Sequence, residues 1–566
     1  MLKRFSYYFL ILLIGGWGIF NLFKNPSAFY TSHDGYTHTA RIAQYYQALK
    51  DGQLPPRWAG TLNNGFGSPI FVFSYHLPYI LGSFLHAIGF SYVVSFKLLI
   101  GGSLLISGIF MFLFLETIFP VQAAVVGSLF YMFAPYRFLN IYVRGSLSES
   151  VAFMFIPLVF LSITKLWEKT NRHTFSFSVV SFALLLLSQN LVAAMFLPLV
   201  LAWILLLWKN TSSRRFALYS FGSLVLGFGI ASFSYFPVFF EKKFLRFGEL
   251  ITYYQNHFVA PFQFLRSPWG YGFSFPGTSQ DEMSFQIGLI HLLVMVFAFI
   301  VGIFLWRKKK QKNFLFEQNI LLFSFVFSLI AVLVMIDTSF TRWLWRVVPF
   351  LATVDLPWRF LGILVFTSSL IVAFVATVIS NRFFWFCIVL LLLYANRNHI
   401  RVNQYLSYPD EEFALYRGSA TWLNEYTPAW RNTTSFDEVT KRYRILEGDL
   451  MIVEKESLSQ EYILETNATS SGLLQLNILY FPGWKLFLDG KPGIFKKDFY
   501  ISDREYKVTE NTKSTGLIHV YIPEGHHTLL ARFTETPLRR FGNVISLVSL
   551  GITGGFLLKN RLGNNL

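Results

Sequence analysis

Residues 6–23 read SYYFLILLIGGWGIFNLF, an uncharged run long enough to cross the hydrocarbon core of a bilayer as one helix. Lys3 and Arg4 precede it, so the positive-inside rule starts this helix in the cytoplasm. The run is long for the apolar part of a signal peptide, and no A-x-A cleavage site follows, which favours an uncleaved anchor. The stretch therefore predicts a membrane protein.

The composition of the chain supports the same class. Of 566 residues, 54% are hydrophobic, 19% are aromatic and 14% are charged, against roughly 25% charged residues in soluble domains. The formal charge of +17 comes mainly from short loops between apolar runs, which is typical of topology signals and anionic-lipid contacts and argues against nucleic acid. Cys387 is the single cysteine, which excludes an intrachain disulfide and a cysteine metal site and favours a bacterial source.

Further apolar runs of spanning length follow the first helix. They lie at 93–115, 121–139, 149–166, 175–190, 191–208, 216–238, 285–306, 319–337, 359–379, 383–396 and 541–558. The sequence thus predicts a polytopic α-helical protein with about twelve transmembrane helices.

The apolar stretch 70–90 carries His76, Pro78 and His86 and is less uniformly apolar than its neighbours. Counting it as a span would place several basic clusters outside, whereas an interfacial helix keeps all of them in the cytoplasm. These clusters are Lys165/Lys169/Arg172, Lys209/Arg214/Arg215, 307–312, Arg382 and Lys559/Arg561. The basic clusters therefore favour an even number of spans, in which 70–90 is an interfacial helix and both termini are cytoplasmic.

Under this topology three long segments face outward: 24–92, 239–284 and 397–540. In the last segment, apolar residues alternate with others in GLIHVYIP and HTLLARF, as they do in β-strands, and Asp489-Gly490 predicts a hairpin turn. We expect a transmembrane domain over 1–396, an external β-rich domain of sandwich or jelly-roll type over 397–540, and a final helix with a cytoplasmic tail over 541–566. Trp484 and Trp422 are expected in the β-domain core.

The first external segment begins TSHDGYTHTARIAQYYQALKDG at 31–52. Asp34 lies just beyond the first helix, flanked by His33 and His38, and ionisable groups at membrane depth tend to be kept for a task. Residues 37–52 predict a short amphipathic helix, and Asp is a good residue to cap one. Spacing alone leaves capping and catalysis open for Asp34.

The order of helix, external Asp, amphipathic helix, LPPRW and GFGSP resembles the GT-C superfamily of lipid-phosphate-sugar-dependent glycosyltransferases. More closely, the chain resembles the bacterial YfhO-like proteins and the membrane proteins labelled "6-pyruvoyl-tetrahydropterin synthase-related", although nothing in it resembles a pterin enzyme. The matching stretches are YVRGSLSES (142–150), DLPWRF (355–360), NEYTPAW (424–430), FPGWKLFLDGK (481–491) and IPEGHHTLLARFTETPLRR (522–540).

This resemblance implies transfer of a sugar from a polyprenyl-phosphate donor to a cell-envelope acceptor, a teichoic acid or surface polysaccharide, on the outer face of the plasma membrane. The catalytic acidic residue of GT-C enzymes maps onto Asp34, and a second acidic candidate is Glu149. Glu149 would equally suit the N-terminus of the following helix, where a negative charge is favourable. The non-enzymatic alternative is a lipid-linked sugar transporter or an envelope-assembly scaffold.

Transfer from a phosphate leaving group needs cations that bind phosphate, and Arg does so through its planar fork. The external candidates for substrate binding are Arg57, Arg144, Arg266 and Arg359, together with His33 and His38, although an interfacial Arg more often reaches toward the headgroups. A divalent metal on His33, Asp34, His38 and His76 is a weaker hypothesis because no H-E-x-x-H or D-x-D spacing is present. We therefore expect no metal and no other cofactor.

Overall fold

A computed structural model describes residues 2–246, 253–274, 281–307, 315–419, 421, 425–429, 439, 441–493, 500–501 and 516–563. Two sequence predictions, the basic run 308–312 and Trp422, lie outside these residues.

Helices make up most of the described chain. They are α1 (Leu2–Phe23), α2 (Gly35–Lys50), α3 (Ile70–Phe73), α4 (His76–Ala87), α5 (Tyr92–Glu116), α6 (Val121–Met132), α7 (Pro135–Phe138), α8 (Leu147–Glu168), α9 (Arg172–Ser188), α10 (Asn190–Thr211), α11 (Arg214–Glu241), α12 (Leu289–Arg307), α13 (Leu315–Met335), α14 (Ser339–Val347), α15 (Pro349–Ala352), α16 (Leu361–Val378), α17 (Arg382–Asn396), α18 (Asp410–Ala414) and α19 (Pro537–Gly563). A π-helix, Leu139–Arg144, joins α7 to α8, and a 3-10 turn, Pro357–Phe360, leads into α16.

Among the described residues, eight helices are long and apolar enough to cross a membrane: α1, α5, α8, α10, α11, α13, α16 and α19. Helices α6, α9 and α12 are apolar but shorter. Every predicted apolar run overlaps a helix, although the run 121–139 is divided among α6, α7 and the π-helix. The chain is therefore a multi-pass α-helical membrane protein. The count of about twelve spans stays a prediction.

The stretch 70–90 forms α3 and the twelve-residue α4, which is not among the helices long enough to span. Helix α4 packs against α2 and α5. A Cβ on Gly82 would lie 2.8 Å from the Ile42 side chain, so glycine permits this close approach. The predicted amphipathic helix after Asp34 is confirmed as α2.

The β-rich domain is confirmed as two sheets. Its strands are β3 (Tyr443–Glu447), β4 (Leu450–Ser457), β5 (Glu461–Ala468), β6 (Gly472–Leu479), β7 (Trp484–Leu488), β8 (Lys491–Pro492), β9 (Tyr500–Ile501), β10 (Leu517–Ile522) and β11 (Gly525–Phe533). The sheet orders are β3-β6-β10-β9 and β4-β5-β11-β7-β8. Strands β7 and β8 form the hairpin predicted at Asp489-Gly490. A separate pair, β1 (Phe29–Tyr30) and β2 (Tyr405–Leu406), joins the first loop to the segment after α17.

The first loop contributes to the core of the β domain. The Trp58 ring lies 5.2 Å from that of Trp484 and 5.0 Å from that of Phe533, centroid to centroid. Gly67, at φ +79°, passes so close that a Cβ there would lie 2.5 Å from Trp58 Nε1. Trp484 is buried, as predicted. The first external loop of the helical domain therefore packs into the apolar core of the β domain.

Two ion pairs attach the segment that follows the β domain, and the start of the last helix, to the rest of the helical domain. Arg57 Nε donates to Glu535 Oε1 at 2.8 Å, and Arg539 Nε donates to Glu241 Oε2 at 2.8 Å. The Arg539 side chain is fully buried and that of Glu241 nearly so. Glu241 ends α11 and Arg539 begins α19, so the pair fixes the start of the last helix against the end of α11.

The predicted topology can be tested with cysteines on either side of α11. In a Cys387→Ser background, Ser457→Cys on the exposed part of β4 should react with an impermeant thiol reagent in intact cells. Thr211→Cys, exposed at the end of α10 and just before α11, should react only after permeabilisation. The reverse labelling pattern would contradict the predicted orientation.

Candidate active site

Asp34 is fixed beside Arg144 through backbone hydrogen bonds. The Asp34 N–H donates to the Arg144 carbonyl at 2.7 Å, and the His33 N–H donates to the Val143 carbonyl at 3.0 Å. Gly145, at φ +63°, lets the two segments approach, since a Cβ there would lie 2.4 Å from Ser32 Oγ. The start of the first loop and the end of the π-helix therefore form one rigid corner.

The Asp34 side chain is exposed at this corner. Asp34 occupies the N-cap position of α2, but its carboxylate makes no capping hydrogen bond. Asp34 therefore has the N-cap position that the sequence suggested, but its side chain does not cap the helix by a hydrogen bond. A carboxylate directed to the surface, beside an arginine, is free to contact a substrate hydroxyl.

Glu149 lies in the first turn of α8 and is buried. Its Oε1 accepts from the Tyr136 hydroxyl at 2.5 Å and from Asn140 Nδ2 at 3.2 Å, while its Oε2 accepts from Arg144 Nη1 at 2.6 Å. Arg144 Nη1 also donates to Asn140 Oδ1 at 2.6 Å. A carboxylate with three donors is stabilised in its charged form, so this geometry suits Glu149 for positioning Arg144 better than for accepting a proton.

Arg359 and Asp355 form a second pair next to the first. Arg359 Nη1 lies 3.3 Å from Asp355 Oδ1. Trp358, which lies between these two residues in the sequence, is buried. The centroid of its ring lies 4.7 Å from the guanidinium carbon of Arg144. The turn at 355–359 thus packs directly on the Arg144 network.

Burial raises the pKa of Asp355 to about 6, although Arg359 and Arg144 act in the opposite direction. Glu149 adds to the increase because it is a like charge. Asp355 is therefore a carboxyl group that changes protonation state close to neutral pH.

The two predicted histidines have partners within the helical domain. His33 Nε2 lies 3.0 Å from the Tyr271 carbonyl oxygen, and its ring stacks on Phe273 at 4.4 Å. His38 Nδ1 lies 3.0 Å from the Tyr79 hydroxyl. Burial lowers the pKa of both histidines, so both are neutral at pH 7.

The proposed metal ligands are not assembled. His38 bonds to Tyr79, and His76 Nδ1 lies 3.0 Å from the Tyr45 hydroxyl. Among the described residues, no three His, Cys, Asp or Glu side chains are placed to hold a metal ion.

Among the described residues, two of the predicted arginines, Arg57 and Arg266, make no side-chain hydrogen bond or ion pair to the cluster formed by Asp34, Arg144, Glu149, Asp355 and Arg359. Arg57 is buried in the connection to the β domain, where Nη2 donates to the Phe233 carbonyl at 3.0 Å and to Asn543 Oδ1 at 3.1 Å. Arg57 is therefore committed to structural contacts. Arg266 is exposed, and the described chain gives its side chain no hydrogen-bond partner.

The structure brings together Asp34, Arg144, Glu149, Arg359, His33 and His38, and adds residues that the sequence analysis did not single out. These are Tyr136, Asn140 and Asp355. Their spacing carried a signal, because Tyr136, Asn140 and Arg144 recur every four residues, as do Asp355 and Arg359. Such spacing places side chains on one face of a helical turn.

Known proteins resemble this chain only in part. No family model matches it. It is 28% identical over 193 residues to an uncharacterized protein of Lactococcus lactis subsp. cremoris (strain MG1363), over 33% of this chain and 31% of that protein.

Two solved structures of the mycobacterial arabinofuranosyltransferase AftD are also similar. One has a TM-score of 0.44 at 14% identity, covering 71% of this chain and 27% of AftD. The R1389S mutant has a TM-score of 0.39 at 12% identity, covering 69% and 27%. The chain spans about a quarter of AftD, and scores in this range assign it neither a fold nor an activity.

Proposed function

We propose that the chain is a membrane glycosyltransferase. It moves a sugar from a polyprenyl-phosphate-linked donor to a cell-envelope acceptor, a teichoic acid or surface polysaccharide, at the outer face of a bacterial plasma membrane. The observation that carries this proposal is that the exposed Asp34 residue is fixed beside Arg144, because the Asp34 N–H donates to the Arg144 carbonyl at 2.7 Å.

The reaction needs two kinds of group, and the cluster contains both. A sugar on a polyprenyl phosphate already has a competent leaving group, so the protein has to bind that phosphate and remove a proton from the acceptor hydroxyl. Arg144 and Arg359 are the cations for the phosphate. Asp34 is the general base, a role that contributes roughly 10²–10⁴-fold to a rate.

Preorganisation supports the same assignment. Arg144 is fixed by Glu149, Asn140 and the Trp358 ring, so its guanidinium is oriented before substrate arrives. Fixed charges of this kind stabilise developing charge without reorganising during the reaction. The donor, the acceptor polymer and membrane lipids are the expected partners.

The proposal is tested on cell envelopes with and without the gene. Mass spectrometry of envelope polymers should reveal one hexose or N-acetylhexosamine that is lost on deletion and restored by the wild-type gene. Restoration should fail with Asp34→Asn and succeed with Asp337→Asn, which changes an exposed aspartate paired with Arg342 outside the cluster. Envelopes with unchanged sugar content after deletion would contradict the proposal.

A further inference from the structure

The two arginine–carboxylate pairs of the cluster are built differently. Glu149 accepts three hydrogen bonds, and its contact with Arg144 is 2.6 Å. The contact between Arg359 and Asp355 is 3.3 Å. Within the described part of the chain, the atoms Asp355 Oδ1 and Arg359 Nε are buried without a hydrogen-bond partner, although the two side chains are 23% and 14% exposed. The Arg359–Asp355 pair therefore has a longer contact and unused hydrogen-bonding atoms, whereas both oxygens of Glu149 accept hydrogen bonds.

The backbone fixes the position of Asp355. Its φ is +60°, in the left-handed region that aspartate and asparagine adopt more readily than other residues with a side chain. Leu356 N–H donates to the Val354 carbonyl at 2.7 Å, and Arg359 N–H donates to the Leu356 carbonyl at 3.0 Å. The carboxylate is thus held at the start of the turn that carries Arg359.

Charged and titratable groups from several elements face Asp355. Arg359 belongs to its own turn, Arg144 and Glu149 come from the π-helix and α8, and the others come from the loops before α4 and after α11. Among the described residues, these groups are Arg359, Arg144, Glu149, Lys242, Tyr253 and Tyr75. Of these, the three cations favour the carboxylate, and the Glu149 carboxylate opposes it.

We propose, resting on the function proposed above, that Asp355 is an exchangeable partner of Arg359. In the empty site the carboxylate holds the guanidinium. When the donor binds, its phosphate takes over Arg359, and Asp355, left without a cation beside a new negative charge, takes up a proton from solvent. Asp355 is then a positioning residue that makes donor binding depend on pH.

The sign of this dependence follows from linkage. Because the pKa of Asp355 in the empty site is about 6, the group is ionised at pH 7 and 8 and has to gain a proton on binding. Donor affinity should then fall about tenfold per pH unit above pH 6 and level off below it. At pH 7, binding should therefore be accompanied by net proton uptake, which approaches one proton per site as the pH rises further above 6.

The probe is farnesyl methyl phosphate, a phosphodiester that does not titrate near neutral pH. Its binding to the full chain in dodecyl maltoside, which contains no phosphate, is measured by calorimetry in two buffers with different ionisation enthalpies. The wild type should show the proton uptake, and Asp355→Asn should show none, with an affinity that is flat between pH 6 and 8. Asparagine suits the left-handed backbone, and Asp337→Asn is the matched control that should behave as the wild type does.

The possible outcomes separate the two proposals. A wild type that does not bind the probe overturns the proposed function, because no lipid-phosphate site is then present. A wild type that binds the probe without proton uptake, or an Asp355→Asn variant that keeps the uptake, contradicts the exchange of Asp355 for phosphate at Arg359. Neither result contradicts the proposed function.

Discussion

Asp34→Asn should reduce sugar transfer by at least about 10²-fold, the lower end for losing a general base. Asparagine has nearly the volume of aspartate but cannot accept the acceptor proton. Because the Asp34 carboxylate makes no capping hydrogen bond, the variant should fold, insert and elute from a sizing column as the wild type does. The measurement is transfer from a polyprenyl-phosphate sugar by purified protein, beside its thermal stability.

Asp34→Ala serves as the control for capping. If Asp34 stabilised α2 through its side chain, alanine would cost on the order of 1 kcal/mol while asparagine would be tolerated. We expect instead that both variants keep the wild-type stability and that both lose activity. A stable and active Asp34→Asn enzyme would remove Asp34 as the base and direct attention to Glu149 and Asp355.

Arg144→Ala should be the most destabilising single change in the cluster. It leaves Glu149 buried without its cation, and breaking a buried pair on one side costs about 3–5 kcal/mol. Arg266→Ala, at an exposed arginine, should change stability by no more than about 0.5 kcal/mol. Thermal unfolding in one detergent compares the two variants directly.

A double variant separates stability from chemistry at this pair. Arg144→Gln with Glu149→Gln removes both charges and keeps hydrogen-bonding groups, so most of the lost stability should return. Transfer should stay low, because a neutral amide does not replace a guanidinium on phosphate. Recovery of transfer together with stability would show that Arg144 has only a structural role.

Local signals in the sequence predicted much of the fold. Apolar runs of spanning length became helices, alternation became strands, and Asp489-Gly490 became a hairpin, because each depends on neighbouring residues alone. The interfacial reading of 70–90 also agrees with the short α4. The final helix begins at Pro537, four residues before the predicted start.

The site was only partly predictable, since its members come together through tertiary contacts. Asp34 and Arg144 are far apart in sequence and meet through a glycine that allows close approach. The sequence suggested phosphate binding for Arg57, but its partner Glu535 lies 478 residues away. In the sequence, Asp355 and Arg359 have the spacing of an ordinary i,i+4 ion pair on a helix. Only the folded structure shows that Asp355 also lies beside Arg144.

The ion pair between Glu241 and Arg539 has a consequence for biosynthesis. The two residues are 298 positions apart, so at about 5–20 residues per second the ribosome makes Glu241 roughly 15–60 s before Arg539. During that interval the Glu241 carboxylate lacks the arginine that it contacts in the folded protein. The native contacts at the end of α11 are therefore completed only after the last helix is synthesised. A nascent chain that stops before Glu535 has neither of the counter-charges that Glu241 and Arg57 contact in the folded protein.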